Sequence, residues 1–325
     1  MKNQIIKIVF FGTPNFSIAS LKCLLKNDKF QVQALVTQTD KVIGRHKILT
    51  APPLTQFIID NDIKTLPIYQ TPNLNKDINL INILKSFHSD FFVVVAFGQI
   101  LSTEILEIPK HGCINVHASL LPKYRGASPI AAAILNGDKK TGITIMDMEK
   151  SMDTGAIYTQ KELPITPDDN IISLGHKLSL QGGQVLSETL EKIIAQKISK
   201  QAQNHSLATY CSKITIESGQ INWKEDRSEI ILNKIKAFVP WPSCYTFFQE
   251  KKLKLLEIKI AEANPTKSPG ETFLDSQNNL HIATTNGSII IKQLQLEGKN
   301  SCNIQDFLRG YPQVASHKLP SNSAK

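Results

Sequence analysis

From residue 5 to residue 196 the chain alternates short apolar runs with segments whose apolar residues recur at helical spacing. The runs are IIKIVFF (5–11), FQVQALVT (30–37), FFVVVAF (91–97), GCINVHAS (112–119) and GITIMDM (142–148). Helical spacing fills 15–26, 53–60, 76–87, 129–136 and 170–196. Parallel strands need long crossovers and are buried on both faces, so this pattern predicts an α/β fold: a mostly parallel sheet with helices on both faces. Ligands of such sheets bind in the crevice along the carboxyl ends of the strands. Strand ends are therefore where function is sought first.

One strand end has unusual chemistry. In GCINVHASLLPKYRGASPI (112–130), Asn115 and His117 sit two residues apart and share a strand face. A lone histidine is more often structural. An amide donor beside an imidazole, however, suits the oxyanion that forms at an attacked carbonyl. Asp153, in SMDTGAIY, reads either as a turn residue closed by Gly155 or as the group that orients the imidazole, raises its pKa and passes protons through water. Ser128 and Pro129 open the following helix, and Asn136-Gly137 ends it. FFGTPNFS offers a glycine turn after a strand, but it has neither GxGxxG nor GxxxxGK[ST], so a plain strand-turn-helix is expected, with a backbone contact at Gly12 and Thr13 left open.

The grammar changes after residue 196. KISKQAQNHSLAT, from 197, is polar and aperiodic and reads as a linker. Beyond it a helix at 228–238 stops at PWP (240–242), and the strands KLKLLEIKI and LHIATTNGSIIIKQLQL follow. Asn286-Gly287 breaks the second into a hairpin, and the apolar register slips at Leu255-Leu256 as a bulge requires. A small antiparallel barrel is the natural closure.

The net charge of +9 and pI near 9.2 suit a polyanionic partner such as a tRNA or a phosphorylated metabolite. The five cysteines form no CxxC pair, so reduced thiols and no metal site are expected. No leader pattern opens the chain, and no stretch reaches the ~20 apolar residues of a membrane span. A cytoplasmic protein is expected, with no membrane association. Without coiled-coil heptads, a monomer is expected as well.

GCINVHASLLPKYRGASPI, TGITIMDMEKSMDTGAI and INWKEDRSEIILNKIKAFVPWP together resemble the 10-formyltetrahydrofolate-dependent formyltransferases, and the similarity runs through nearly the whole chain. The resemblance implies a Rossmann-like catalytic domain (1–196), a linker (197–208), an OB-like tRNA-binding domain (209–312) and a tail (313–325). It implies that Asn115, His117 and Asp153 are catalytic and that Ser119, Leu120, Leu121 and Pro122 line the tetrahydrofolate site. The formyl donor implied is 10-formyltetrahydrofolate, with no metal. TQTDKVIGRHKILTAPPL (37–54) is similar to the basic loop of the branch that acts on initiator methionyl-tRNA, with Arg45 at its key position and Lys41 and Lys47 nearby. Branches acting on an amino-sugar nucleotide, or hydrolysing the folate, are the alternatives. Departures from the pattern are Ser128, Ala131 and Ala156.

Overall fold

A seven-stranded sheet organises the first half of the chain. The computed structural model describes residues 5–44, 47–261 and 267–321. Its elements are β1 (Ile6–Gly12), α1 (Ile18–Leu25), β2 (Phe30–Thr37), β3 (Lys41–Ile43), β4 (Ile48–Thr50), α2 (Pro53–Asp60), β5 (Ile68–Gln70), α3 (Ile78–Ser86), β6 (Phe91–Val95) and α4 (Thr103–Leu106). There follow β7 (Cys113–His117), β8 (Arg125–Gly126), α5 (Pro129–Leu135), β9 (Lys140–Asp147), β10 (Ile157–Pro164), α6 (Ile171–Ile194) and β11 (Tyr210–Cys211).

The strand order is β10-β9-β7-β6-β1-β2-β5. From β7 to β5 all neighbours run parallel, whereas β9 is antiparallel to β7 and β10 antiparallel to β9. The expected sheet is therefore present, with an antiparallel margin. No apolar run marks a strand at 157–164, because β10 is half exposed and carries Gln160, Lys161 and Glu162 where an interior strand would be apolar.

Alternation along the strands builds both faces of the core. Val9 and Phe11, with Phe92, Val94 and Phe97, pack in one cluster with Leu80, Ile81 and Leu84 of α3 and Ile105 of α4. Phe10, Phe11, Phe91 and Phe92 are wholly buried, each worth up to about 3 kcal/mol of hydrophobic stabilisation. Helix α6 repeats Leu174, Leu178, Val185, Leu186 and Leu190 as its buried stripe.

The chain divides into two compact units. The first runs to Pro129 and takes in Lys140–Ile165 and Ser173–Cys211; the second holds Ile130–Lys139, Thr166–Ile172 and everything from Ser212 onward. Two inserts of the first half thus belong to the second unit. Asn233 Nδ2 donates to the Leu135 carbonyl and Lys236 Nζ to that of Pro167, contacts between positions far apart in sequence that periodicity cannot report.

The second unit adds α7 (Ser228–Ala237), β12 (Cys244–Phe248), β13 (Lys251–Ala261), β14 (Thr272–Leu274), β15 (Leu280–Thr284), β16 (Gly287–Leu296), β17 (Cys302–Asn303) and α8 (Ile304–Gly310). Its sheet is antiparallel in the order β12-β13-β16-β15-β14, with β17 on β16. The β15–β16 hairpin turns at Thr285-Asn286, one residue before the expected Asn286-Gly287, with Gly287 already paired to Thr284, and the register of β13 shifts between Leu255 and Glu257, at the expected bulge. Trp223 is wholly buried in this core, its indole N–H donating to Thr246 Oγ1. Among the described residues no helix is long and apolar enough to cross a membrane, and no three His, Cys, Asp or Glu side chains cluster as a metal set.

The stretch 197–208 is not a loose tether. Gln201 exchanges both backbone hydrogen bonds with Ile157 at 2.8 Å, and Lys200 Nζ meets Asp147 Oδ2 at 2.5 Å. Thr209 donates its N–H to the Pro122 carbonyl and accepts from Arg125 N–H, and β11 then pairs with β8. Its side chains face solvent at nearly every position, so the sequence is polar and without period even though the backbone is pinned.

Candidate active site

Strand β7 brings Asn115 and His117 to its carboxyl end on one face, while Ile114 and Val116 are buried between them on the other. Interior strands of a parallel sheet are apolar for burial, so two polar residues on one face stand out. His117 is 6% exposed and Asn115 half-buried. The Asn115 carboxamide makes no side-chain hydrogen bond among the described residues and so keeps its donors uncommitted.

The imidazole geometry fixes one proton. His117 Nε2 lies 3.0 Å from the Tyr124 carbonyl, which can only accept, so Nε2 carries hydrogen. Nδ1 is then the nitrogen that titrates, and it faces Asp153 Oδ1 at 3.6 Å. The sequence reading expects Asp153 to raise the histidine pKa. Burial outweighs it: desolvation holds His117 below its ordinary value, against the opposing pull of Asp153 and of the Tyr124 carbonyl. The net direction is thus downward, opposite to the rise expected from Asp153 alone.

Asp153 arrives from the loop between two antiparallel strands, β9 and β10, rather than from the end of a parallel one. Its Oδ2 accepts the Gly126 N–H at 2.8 Å. At Gly126, φ is 120° and an added Cβ would lie 2.2 Å from the Cys211 carbonyl oxygen, so only glycine fits where β8 and β11 close on one another. At Gly155 a Cβ would meet the Asp147 carbonyl oxygen at 1.9 Å. Next to it, Ala156, where the resemblance departs, offers its main-chain carbonyl to Asp147 N–H. Asp153 and Tyr124 hold φ of 55° and 59°, left-handed values that cost a non-glycine residue about 1 kcal/mol or more and persist only under outside restraint. For Tyr124 part of that restraint is the bond from its N–H to Thr209 Oγ1.

The SLLP segment divides by burial. Ser119 is wholly buried, its hydroxyl donating to the Lys123 carbonyl, and Leu121 is buried too. Leu120 and Pro122 are half-buried and present surface. Behind them Thr144 Oγ1 donates to the Ser119 carbonyl and accepts from Leu121 N–H and Gln160 Nε2. As for the glycine turn after β1, Thr13 Oγ1 and Gln38 Nε2 both donate to the Phe97 carbonyl, tying the ends of β1, β2 and β6 together.

The basic loop forms a two-stranded hairpin, β3–β4, in which Val42, Ile43, Ile48 and Leu49 are each more than half exposed. Lys41 is exposed with Nζ on Gln38 Oε1, and Lys47 is exposed at a φ of 49°. Arg45 lies outside the described residues. Three participants escaped the sequence reading: Thr144, Arg125 and Gln203. The Arg of KYRG is one position in a short irregular loop, and Gln203 lies in a polar run with no period, so neither carries a sequence signal of burial.

Residues 6–190 match the formyl transferase family, and residues 213–312 match the formyl transferase C-terminal domain. Among similar curated proteins, the methionyl-tRNA formyltransferase of Clostridium acetobutylicum is 41% identical over 94% of this chain and 96% of its own length. The methionyl-tRNA formyltransferase of Sulfurihydrogenibium sp. is 38% identical over 97% of this chain and 100% of its own. Among solved structures, the N-formyltransferase of Helicobacter canadensis, in complex with folinic acid and dTDP-3-aminofucose, aligns with a TM-score of 0.62 at 22% identity, covering 88% of this chain and 99% of that one. That likeness is one of fold.

Proposed function

The chain belongs to the formyl transferase family, and on that premise we propose that it moves the formyl group of 10-formyltetrahydrofolate to the α-amine of methionine esterified to initiator tRNA. The observation that carries the site assignment is an uncommitted Asn115 carboxamide beside a buried His117 whose titrating nitrogen faces Asp153. An α-amino group titrates near ~7.7–8 in peptides, and an adjacent ester lowers that further, so the nucleophile is largely neutral without an enzymic base.

The amine nitrogen attacks the formyl carbon, a C–N bond forms, and the carbonyl oxygen becomes an oxyanion. Asn115 donates to that oxygen. His117, its Nε2 proton held by the Tyr124 carbonyl, supports the charge and the proton traffic through Nδ1 and Asp153. The proton lost by the amine reaches the departing folate nitrogen through Asp153 and water, the bond from that nitrogen to the formyl carbon breaks, and the oxyanion collapses. Leu120 and Pro122 offer the apolar wall for the folate, with Ser119 and Leu121 anchoring it from behind. No covalent enzyme intermediate and no metal enter these steps.

The acceptor is assigned to other parts of the chain. Lys41 and Lys47 supply positive charge at the β3–β4 hairpin for the acceptor end of the tRNA, Arg45 of the same basic sequence stretch adds to it, and the second unit grips the tRNA phosphates. A cytoplasmic monomer completes the reading. The test is transfer of labelled formyl from 10-formyltetrahydrofolate to initiator and elongator methionyl-tRNA side by side, with water and an amino-sugar nucleotide as competing acceptors. Preferred labelling of the initiator tRNA is expected. Equal release to water would point to the hydrolase, and labelling of the sugar nucleotide to the other alternative.

A further inference from the structure

Between residues 200 and 211 a single side chain is buried, that of Gln203 at 6% exposure. Its Oε1 accepts from Arg125 Nε at 3.1 Å and from Arg125 Nη2 at 2.6 Å. Its Nε2 donates to the carbonyls of Asp153, at 2.9 Å, and Gly155, at 2.7 Å. A carboxamide has two N–H donors and one oxygen with two lone pairs, so the group is saturated and has no capacity left for substrate. Its whole bonding power is spent on one guanidinium and two backbone carbonyls.

The guanidinium is unusual in its turn. Arg125 is 1% exposed, and its other partners are His205 Nδ1 at 3.0 Å and Tyr210 Oη at 3.5 Å. No carboxylate pairs with it among the described residues. A buried charge without a counterion is costly unless polar partners take up its donors. Here the donors converge on Gln203, His205 and Tyr210, and Gln203 in turn on the Asp153 loop. Asp153 is thereby held from two sides: Gly126 N–H grips its carboxylate, and Gln203 grips its main-chain carbonyl at a left-handed φ that it would not otherwise keep.

We propose that Gln203, braced by Arg125, is a positioning residue that holds Asp153 against His117. The proposal rests on the reading of Asp153 as the proton-handling carboxylate. Gln203→Glu is the sharpest variant. It keeps the acceptor oxygen for Arg125, supplies a countercharge and preserves volume, but it removes both N–H donors and sets a carboxylate against two carbonyl oxygens.

In the full-length protein, Gln203→Glu is expected to lower kcat by about 10- to 100-fold, the scale of a misplacement near 1 Å, with KM for 10-formyltetrahydrofolate and for methionyl-tRNA little changed. Because it acts through Asp153, the double variant Asp153→Asn/Gln203→Glu should be no slower than Asp153→Asn alone. Losses that multiply in the double variant, or wild-type kcat in a folded Gln203→Glu, overturn the proposal. Near wild-type turnover in Asp153→Asn instead overturns the reading beneath it. Should Gln203→Glu fail to fold, Gln203→Asn, one methylene too short to reach both loops, enters the same cycle with the same expected and excluded outcomes.

Discussion

Each unit buries a histidine beside an aspartate, and the two pairs are built differently. In the second unit His281, 4% exposed, has Nε2 3.1 Å from Asp275 Oδ2 and Nδ1 3.0 Å from Ser288 Oγ, and its ring stacks on Phe273. Asp275 is held in turn by the backbone and side chain of Asn279, which push its pKa well below the usual carboxylate range. Ser288 is wholly buried, so this Ser-His-Asp chain has no access to a substrate. In the first unit Asp153 stops 3.6 Å short of His117, two left-handed residues frame the pair, and Asn115 beside it is unspent. Saturation marks the pair in the second unit, and incompleteness marks the pair proposed for chemistry.

The largest effects should fall on the incomplete pair. Asn115→Ala and His117→Ala are each expected to lower kcat by about 10²- to 10³-fold, the usual loss for an oxyanion donor or a proton-transfer group, with folate and tRNA affinity retained. Steady-state formyl transfer measures it, and a loss within a few-fold of wild type breaks the assignment. Next in size is Gly126→Ala, which forces β8 from β11 and moves the N–H that holds Asp153. It should cost roughly 2 kcal/mol of stability and at least about tenfold in kcat, read by denaturant unfolding alongside turnover.

His281→Ala should do the reverse of His117→Ala. Loss of two buried hydrogen bonds and a stacked ring is expected to destabilise by about 2 kcal/mol, while kcat at saturating tRNA stays within a few-fold of wild type. A turnover loss as deep as that of His117→Ala would erase the contrast. The smallest effect is in pH. His117 has a folded pKa below the ordinary 6.5, so the native state binds fewer protons than the unfolded one. Its stabilising contribution is full above pH 6.5 and is lost as pH falls below it, with a slope of up to about 1.4 kcal/mol per unit. Urea titrations from pH 7.5 to 5 should show a shallower decline for His117→Gln than for wild type.

Much of this was legible from the order of residues. The five apolar runs became strands, the hairpin signalled by Asn286-Gly287 formed with its turn one residue earlier, the slip at Leu255-Leu256 became a bulge, and Asn115 and His117 came to one strand end. Each of these signals is local: a period, a turn residue, a two-residue spacing. What escaped was non-local. Strand β10 is polar because it is an edge; residues 130–139 and 166–172 join the second unit through contacts with α7; and a stretch that reads as linker is pinned by its backbone while its side chains face water.

The sequence by itself determined the sheet, the sites of its turns and the residue types available for chemistry, because short-range sterics and hydrophobic periodicity are written residue by residue. Only the tertiary structure decided the state of those residues. Whether His117 rests neutral depends on how much water is removed around it, and Asp153 stands beside it because Gly126 and Gln203, distant in sequence, supply the donors that hold it. Desolvation and bond geometry are properties of the assembled fold, and no single stretch of the chain contains them.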